Sequence, residues 1–122
     1  MERVTGIGGV FFKAADPERI AAWYADHLGV ECSPRGDVVW QDQTGPTVWA
    51  PFPADSDYLG ASGQQVMINF RVRDLDAMLL QLRTAGVEPD DEVVDAVGVG
   101  RFVHLRDPAG TRIELWEPTD RS

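Results

Sequence analysis

An internal repeat limits what this chain can fold into more than any other feature. The stretch GVFFKAADPERIAAWYADHLGV lies over the stretch MINFRVRDLDAMLLQLRTAGVE. Phe12 falls on Phe70, Lys13 on Arg71 and Asp16 on Asp74, all 58 residues apart, and Gly29 and Gly86 close the two copies after a one-residue slip. A unit repeated once in 122 residues points to two half-size modules sharing one core. At about 100–200 residues per domain there is room for a single domain. We assign it to residues 1–122, with module one over about residues 4–59 and module two over about residues 63–118.

Each copy reads as a strand followed by a helix. Period two puts Val66, Ile68, Phe70 and Val72 on one face and Gln65, Met67, Asn69 and Arg71 on the other. In the first copy Val10, Phe12 and Ala14 oppose Gly9, Phe11 and Lys13. The aliphatic face is expected to meet the helix. Asp16 is an N-cap candidate, with Pro17 at the first helical position and Glu18 in the positive first turn. Ile20, Trp23, Tyr24 and Leu28 form the apolar stripe, and Gly29 ends the helix. Asp74 starts the second helix, whose stripe is Leu75, Met78, Leu79 and Leu82, and Gly86 ends it. A Met and Leu stripe at this spacing is core.

Shorter strand signals follow each helix. In the first half they cover residues 37–41 and 47–50, around a Gly45-Pro46 turn. In the second half they cover residues 100–106 and 111–116, around Asp107-Pro108-Ala109-Gly110, a strong hairpin turn. A further short strand is expected near residues 93–97. Residues 51–63, rich in Pro, Gly, Asp and Ser, read as the linker between the halves. The two tails align at an offset of 65 residues, which puts Trp49 in the repeat position of Glu114. The fold class is therefore α+β, two βαβββ modules, with Gly9 matching Met67 and Trp49 matching Glu114.

Composition excludes several functions. The chain carries 11 basic and 20 acidic residues, a net charge of −9, which repels nucleic acid and anionic membrane. A single cysteine, Cys32, rules out an internal disulfide. It has no neighbouring group to make it a nucleophile. The first residues lack the apolar run of a signal peptide, and no apolar run approaches the roughly 20 residues of a membrane span. The expected location is the cytoplasm. His27 suits a helix end, and the acidic run Pro89-Asp90-Asp91-Glu92 reads as a solvated loop. Gly98-Val99-Gly100 precedes a strand and not a helix, so it is no phosphate loop.

The segments VFFKAADPERIAAWYADHLGV, FRVRDLDAMLLQLRTAGV and HLRDPAGTRIELWEP together resemble the vicinal oxygen chelate superfamily, the glyoxalase/bleomycin-resistance/dioxygenase proteins. The most specific part is the closing Asp-Pro-x-Gly turn followed by Ile-Glu-Leu. The resemblance covers nearly the whole chain. It implies a curved mixed sheet closing around a cup. It also implies up to four metal ligands, typically His and Glu, at positions that map to Gly9, Trp49, Met67 and Glu114. Only Glu114 is a ligand type. Gly9 has no side chain, Trp49 cannot ligate, and the Met67 thioether suits the family's Mn, Fe, Ni or Zn poorly. A catalytic metal of this kind needs about three protein ligands, so no metal and no other cofactor is expected, and metal-dependent activity is disfavoured.

His104 stands ten residues before Glu114, across the hairpin. Alternation groups it with Phe102 and Arg106, away from Val103 and Leu105. In the dioxygenase and fosfomycin-resistance branches that the chain resembles, a tyrosine at this spacing contacts substrate. Two readings of the pair stand side by side. One is a polar pair in an apolar cup, able to bind a ligand or move a proton. The other is an internal hydrogen bond, with Arg71, Lys13 or Arg112 neutralising Glu114. The residues expected to bind a ligand are Phe11, Trp40, Trp49, Met67, Asn69, Phe102 and Trp116, an aromatic wall with a few polar groups. The expected function is the binding of a small organic, aromatic molecule in a cup without a metal. The alternative is a glyoxalase-type lyase or isomerase using Glu114 with His104 for proton transfer. Whether the chain is an enzyme stays open at this point. A homodimer is the expected assembly.

Overall fold

The computed structural model describes residue 2 and residues 10–30, 45–61 and 63–119. The elements in chain order are α1 (Pro17–Leu28), β1 (Asn69–Arg71), α2 (Leu75–Thr84), β2 (Val94–Ala96), β3 (Gly100–Arg106) and β4 (Arg112–Pro118). The four strands form one mixed sheet in the order β1-β4-β3-β2, with β1 parallel to β4 and the other pairs antiparallel.

The caps form as their residue types require. The Asp16 carboxylate accepts from the backbone N–H of Arg19 at 3.2 Å, Pro17 opens α1, and Gly29 ends it at φ 73°. A side chain at Gly29 would strain that left-handed turn. Asp74 caps α2 in the same way, accepting from Ala77 N–H at 3.0 Å. Leu75 N–H donates to the Glu117 carboxylate at 3.0 Å, which ties the start of α2 to the end of β4.

Both helices bury their stripes on one face of the sheet. Ile20 and Tyr24 from α1 and Leu75, Leu79 and Leu82 from α2 join Val103, Leu105, Ile113 and Leu115 in a single cluster. Val103 and Leu105 alternate with Phe102 and His104 along β3, so the opposite face receives the polar and aromatic set. At its centre Asn69, Glu114 and His104 are direct cross-strand neighbours in one row over β1, β4 and β3.

The β3–β4 turn is held by a buried carboxylate. Gly110 N–H donates to Asp107 O at 2.9 Å, and Gly110 sits at φ 83°. Asp107 Oδ1 accepts from the N–H groups of Ala109 and Thr111 at 2.9 and 3.0 Å. Its Oδ2 accepts from the Tyr24 hydroxyl at 2.8 Å. Burial first, then this carboxylate, raise the Tyr24 pKa.

The first half departs from the sequence expectation. Residues 10–14 and 47–50 carry no strand pairing among the described residues. Residues 37–41, with Trp40, and Gly9 lie outside the described residues. The extended run of residues 65–72 shortens to the three residues of β1, although Glu114 N–H still donates to Ile68 O and Val72 N–H to Trp116 O. The second half matches closely. Residues 100–106 form β3, the strand expected near 93–97 is β2, and the last strand runs two residues beyond the expected 116, to Pro118.

Candidate functional site

The row Asn69, Glu114 and His104 is the core of the candidate site. Cross-strand pairing brings their side chains to one face. Glu114 is 5% exposed and His104 5% exposed, so this is a pair of ionisable groups taken out of water, which must be paired to persist. Glu114 Oε1 accepts from Asn69 Nδ2 at 2.7 Å. Glu114 Oε2 accepts from the Tyr58 hydroxyl and lies 2.8 Å from His104 Nε2. That last approach is an ion-pair contact that falls short of a directed hydrogen bond.

Asp91 grips His104 from the other side. Its Oδ2 is 2.7 Å from His104 Nδ1, and its Oδ1 accepts from the His104 backbone N–H at 2.8 Å. Both ring nitrogens therefore face carboxylate oxygens, and a neutral ring would set a lone pair against one of them. The arrangement fits an imidazolium. Burial works against that charge, but the Glu114 and Asp91 carboxylates outweigh it and hold the His104 pKa above its ordinary 6.5. Burial likewise works against the Glu114 carboxylate, and the close His104 ring together with hydrogen bonds from Tyr58 and Asn69 outweighs it, so its pKa falls below 4.5.

The signs set a pH window for stability. His104, with its pKa raised on folding, contributes in full below pH 6.5, and that contribution is lost as the pH rises through its folded value. Glu114, with its pKa lowered, contributes in full above pH 4.5 and loses its share as the pH falls through its folded value. The pair's contribution to the thermal midpoint is therefore largest between those two pH values. His104→Gln should flatten the alkaline limb of the profile. An unchanged slope above pH 6.5 in that variant would show that His104 is not the titrating group.

Aromatic rings line this face. The Tyr58 ring meets His104 edge-on at 5.0 Å, and Phe52 stacks on Tyr58 at 5.4 Å. In the next cross-strand row, Phe102 and Trp116 stack in parallel at 5.9 Å. The Trp116 indole N–H donates to Val99 O at 3.0 Å.

The structure brings together Glu114, His104, Asn69, Phe102 and Trp116 on one face; alternation groups His104 with Phe102 and Asn69 with Met67. Met67 is partly buried just before β1. Two expected cup residues are elsewhere: Phe11 is 97% exposed and Trp49 80% exposed. Neither lines the site within this chain, because the strands meant to carry them do not pair among the described residues. The expected neutralisation of Glu114 by Lys13, Arg71 or Arg112 is replaced by His104. Arg71 donates to Pro46 O at 2.6 Å. Arg112 lies 3.6 and 3.7 Å from Asp90 and Asp91.

Two site residues escaped the sequence reading. The acidic run is not simply solvated, since Asp91 holds His104 and Asp90 pairs with Arg106 at 2.8 Å. No periodic pattern marks which loop carboxylate turns inward. Tyr58 sits in the segment read as a linker, and its signal was present: a lone tyrosine among Pro, Asp, Ser and Gly.

The glyoxalase-like domain profile matches residues 9–116. The chain belongs to this family, within the vicinal oxygen chelate superfamily. No curated protein sequence matches this chain significantly. Among solved structures it is similar to the fosfomycin resistance protein FosX of Listeria monocytogenes, with 16% identity, 96% of each chain covered and a TM-score of 0.62. It is similar to lactoylglutathione lyase of Agrobacterium tumefaciens, with 19% identity, coverage of 94% and 95%, and a TM-score of 0.59. It is also similar to TnmS3, an antibiotic binding protein of Streptomyces sp. CB03234, with 22% identity, coverage of 86% and 88%, and a TM-score of 0.54. Identities this low speak to the fold, which among the described residues is an α+β arrangement of a mixed four-stranded sheet and two helices.

A divalent metal, which the superfamily implies, does not fit the residues present. Both Glu114 oxygens are engaged by donors of the chain, and the second ring nitrogen of His104 is held by Asp91. Met67 offers only a thioether, and no group of three His, Cys, Asp or Glu among the described residues can hold an ion. No helix of the described residues is long and apolar enough to cross a membrane.

Proposed function

We propose that this glyoxalase-like domain binds a small aromatic molecule at the Glu114–His104 row, without a metal. One observation carries the reading. The buried His104 Nε2 has no directed hydrogen-bond partner, although buried polar groups nearly always have one. It is ion-paired with Glu114 Oε2 at 2.8 Å and has the Tyr58 ring edge-on at 5.0 Å, and an acceptor on a bound molecule would add the directed hydrogen bond it lacks. Aromatic walls around a few fixed polar groups are the usual make-up of a small-molecule site. The same fold occurs in an antibiotic binding protein and in a fosfomycin resistance protein.

A second reading is a lyase or isomerase with Glu114 as base and His104 as its partner. The Asp91–His104–Glu114 row favours it, because a carboxylate behind an imidazole fixes the ring for proton transfer. The direction of the Glu114 shift opposes it. A carboxylate held below its ordinary range and already accepting from Asn69 and Tyr58 is a weak base.

We further propose that the chain works as a cytoplasmic homodimer of two-module domains, with the first-half strands completing their pairing in the assembly. Phe11, Phe12, Val48, Trp49 and Val66 are exposed apolar side chains, and self-association is a common way to cover such surface. Native mass spectrometry of protein purified without chelator reads these claims together. The expected species is two chains with an organic adduct. A single chain near 13.5 kDa would contradict the dimer, and one transition metal per chain would contradict the binding reading.

A further inference from the structure

We infer that the site selects hydroxylated aromatic molecules, and that Tyr58 is a tethered stand-in for such a ligand. The inference rests on the small-molecule reading above and names the ligand class. The side chain of Tyr58 is itself a phenol in the candidate site. Its hydroxyl donates to the buried Glu114 carboxylate, its ring lies edge-on to His104, and Phe52 stacks on its outer face. These are the contacts a free phenol would need.

Apart from Arg112 Nε, which donates to Tyr58 O at 3.2 Å, the support under Tyr58 is local. Residues 51–61 contain no helix or strand and fold on their own short turns, Ser56 N–H to Pro53 O and Gly60 N–H to Asp57 O. Tyr58 is 38% exposed and Phe52 45% exposed. The segment therefore holds its phenol at the site from the outside and not as part of the helix–sheet core, which contains neither ring.

A free hydroxyarene can also do what the tethered one does not. A phenolic hydroxyl is a donor and an acceptor. Tyr58 uses the donor on Glu114, while His104 Nε2 stays without a directed acceptor. An untethered phenol can give its proton to Glu114 and take the hydrogen of His104 on the same oxygen. An arene without the hydroxyl satisfies neither group, and leaving a buried charged pair so exposed to mismatch is the strongest basis for discrimination a small pocket has.

The test is a fluorine NMR titration of the full chain with 4-fluorophenol and with fluorobenzene, on wild type, Tyr58→Ala and Tyr58→Phe. Removing the stand-in should strengthen 4-fluorophenol binding by about tenfold or more, the worth of a hydrogen bond to a charged group. In Tyr58→Ala the phenol should exceed fluorobenzene by a similar factor, about tenfold. Tyr58→Phe keeps the ring and gives up the hydroxyl, so its gain should be intermediate, and it carries the comparison alone if the alanine variant does not fold. Equal affinities for the two probes would overturn the ligand class while leaving the aromatic site standing. Binding of neither probe to any variant would overturn both. Weaker phenol binding in Tyr58→Ala than in wild type would show that Tyr58 is part of the ligand's wall and not its competitor.

Discussion

Asp107→Ala is expected to lower stability by about 3 kcal/mol. The carboxylate is 5% exposed and serves three donors, the backbone N–H groups of Ala109 and Thr111 and the hydroxyl of Tyr24. Alanine removes every acceptor and strands the Tyr24 hydroxyl in a buried place, where an unmet donor costs about 1–3 kcal/mol. It also loosens the turn that sets β3 against β4, on which the pairing of His104 with Glu114 depends. For a chain of this length the thermal midpoint should drop on the order of 10 °C. Tyr24→Phe deletes one donor together with its need for an acceptor, so its cost should be about 1 kcal/mol. Denaturant unfolding of both variants checks the account. A loss under about 1 kcal/mol in Asp107→Ala would mean that the turn does not depend on its carboxylate.

The second half of the fold and the centre of the site were legible because local chemistry decides them. Asp16, Pro17 and Gly29 bound α1 as caps should, and Asp74 starts α2. Asp107-Pro108-Ala109-Gly110 can scarcely be anything but a turn, and a turn of known length fixes the register of the strands beside it. Alternation separates His104 and Phe102 from Val103 and Leu105, and the hairpin puts Glu114 ten residues on; the structure pairs the two across β3 and β4. The presence of Tyr58 and Asp91 at the site depended on tertiary placement instead. Each lies in a segment without a period, so nothing local states which way its side chain turns. Phe11 and Trp49 show the opposite failure. Alternation assigned Phe11 to a face and the repeat assigned Trp49 the position of Glu114, but a face has no meaning until a neighbouring strand pairs with it, and none does among the described residues. The metal reading came from the residue types at Gly9, Trp49, Met67 and Glu114. What the structure adds is the reason Glu114 has no need of a metal: Asn69, Tyr58 and His104 already occupy it.

That point carries the other large expected effect. Anything bound only by the folded chain raises its stability by mass action, by about 2.7 kcal/mol at a hundredfold excess over Kd, a shift of several degrees in the midpoint. An ion at Glu114 would first have to displace the Tyr58 hydroxyl and separate the carboxylate from His104, and water would then have to fill most of its coordination sphere. No such gain should be seen with metals. An aromatic molecule displaces only the Tyr58 ring and leaves the charged pair intact, so it should give the gain in full.

Thermal unfolding of the purified chain with Ni, Mn, Zn or Mg in excess, with EDTA, and with 2-naphthol reads the claim directly. The account predicts no shift with any metal, no loss with EDTA, and a saturable rise of several degrees with 2-naphthol that Glu114→Gln removes. A saturable rise with one of the metals, abolished by Glu114→Ala, would contradict it.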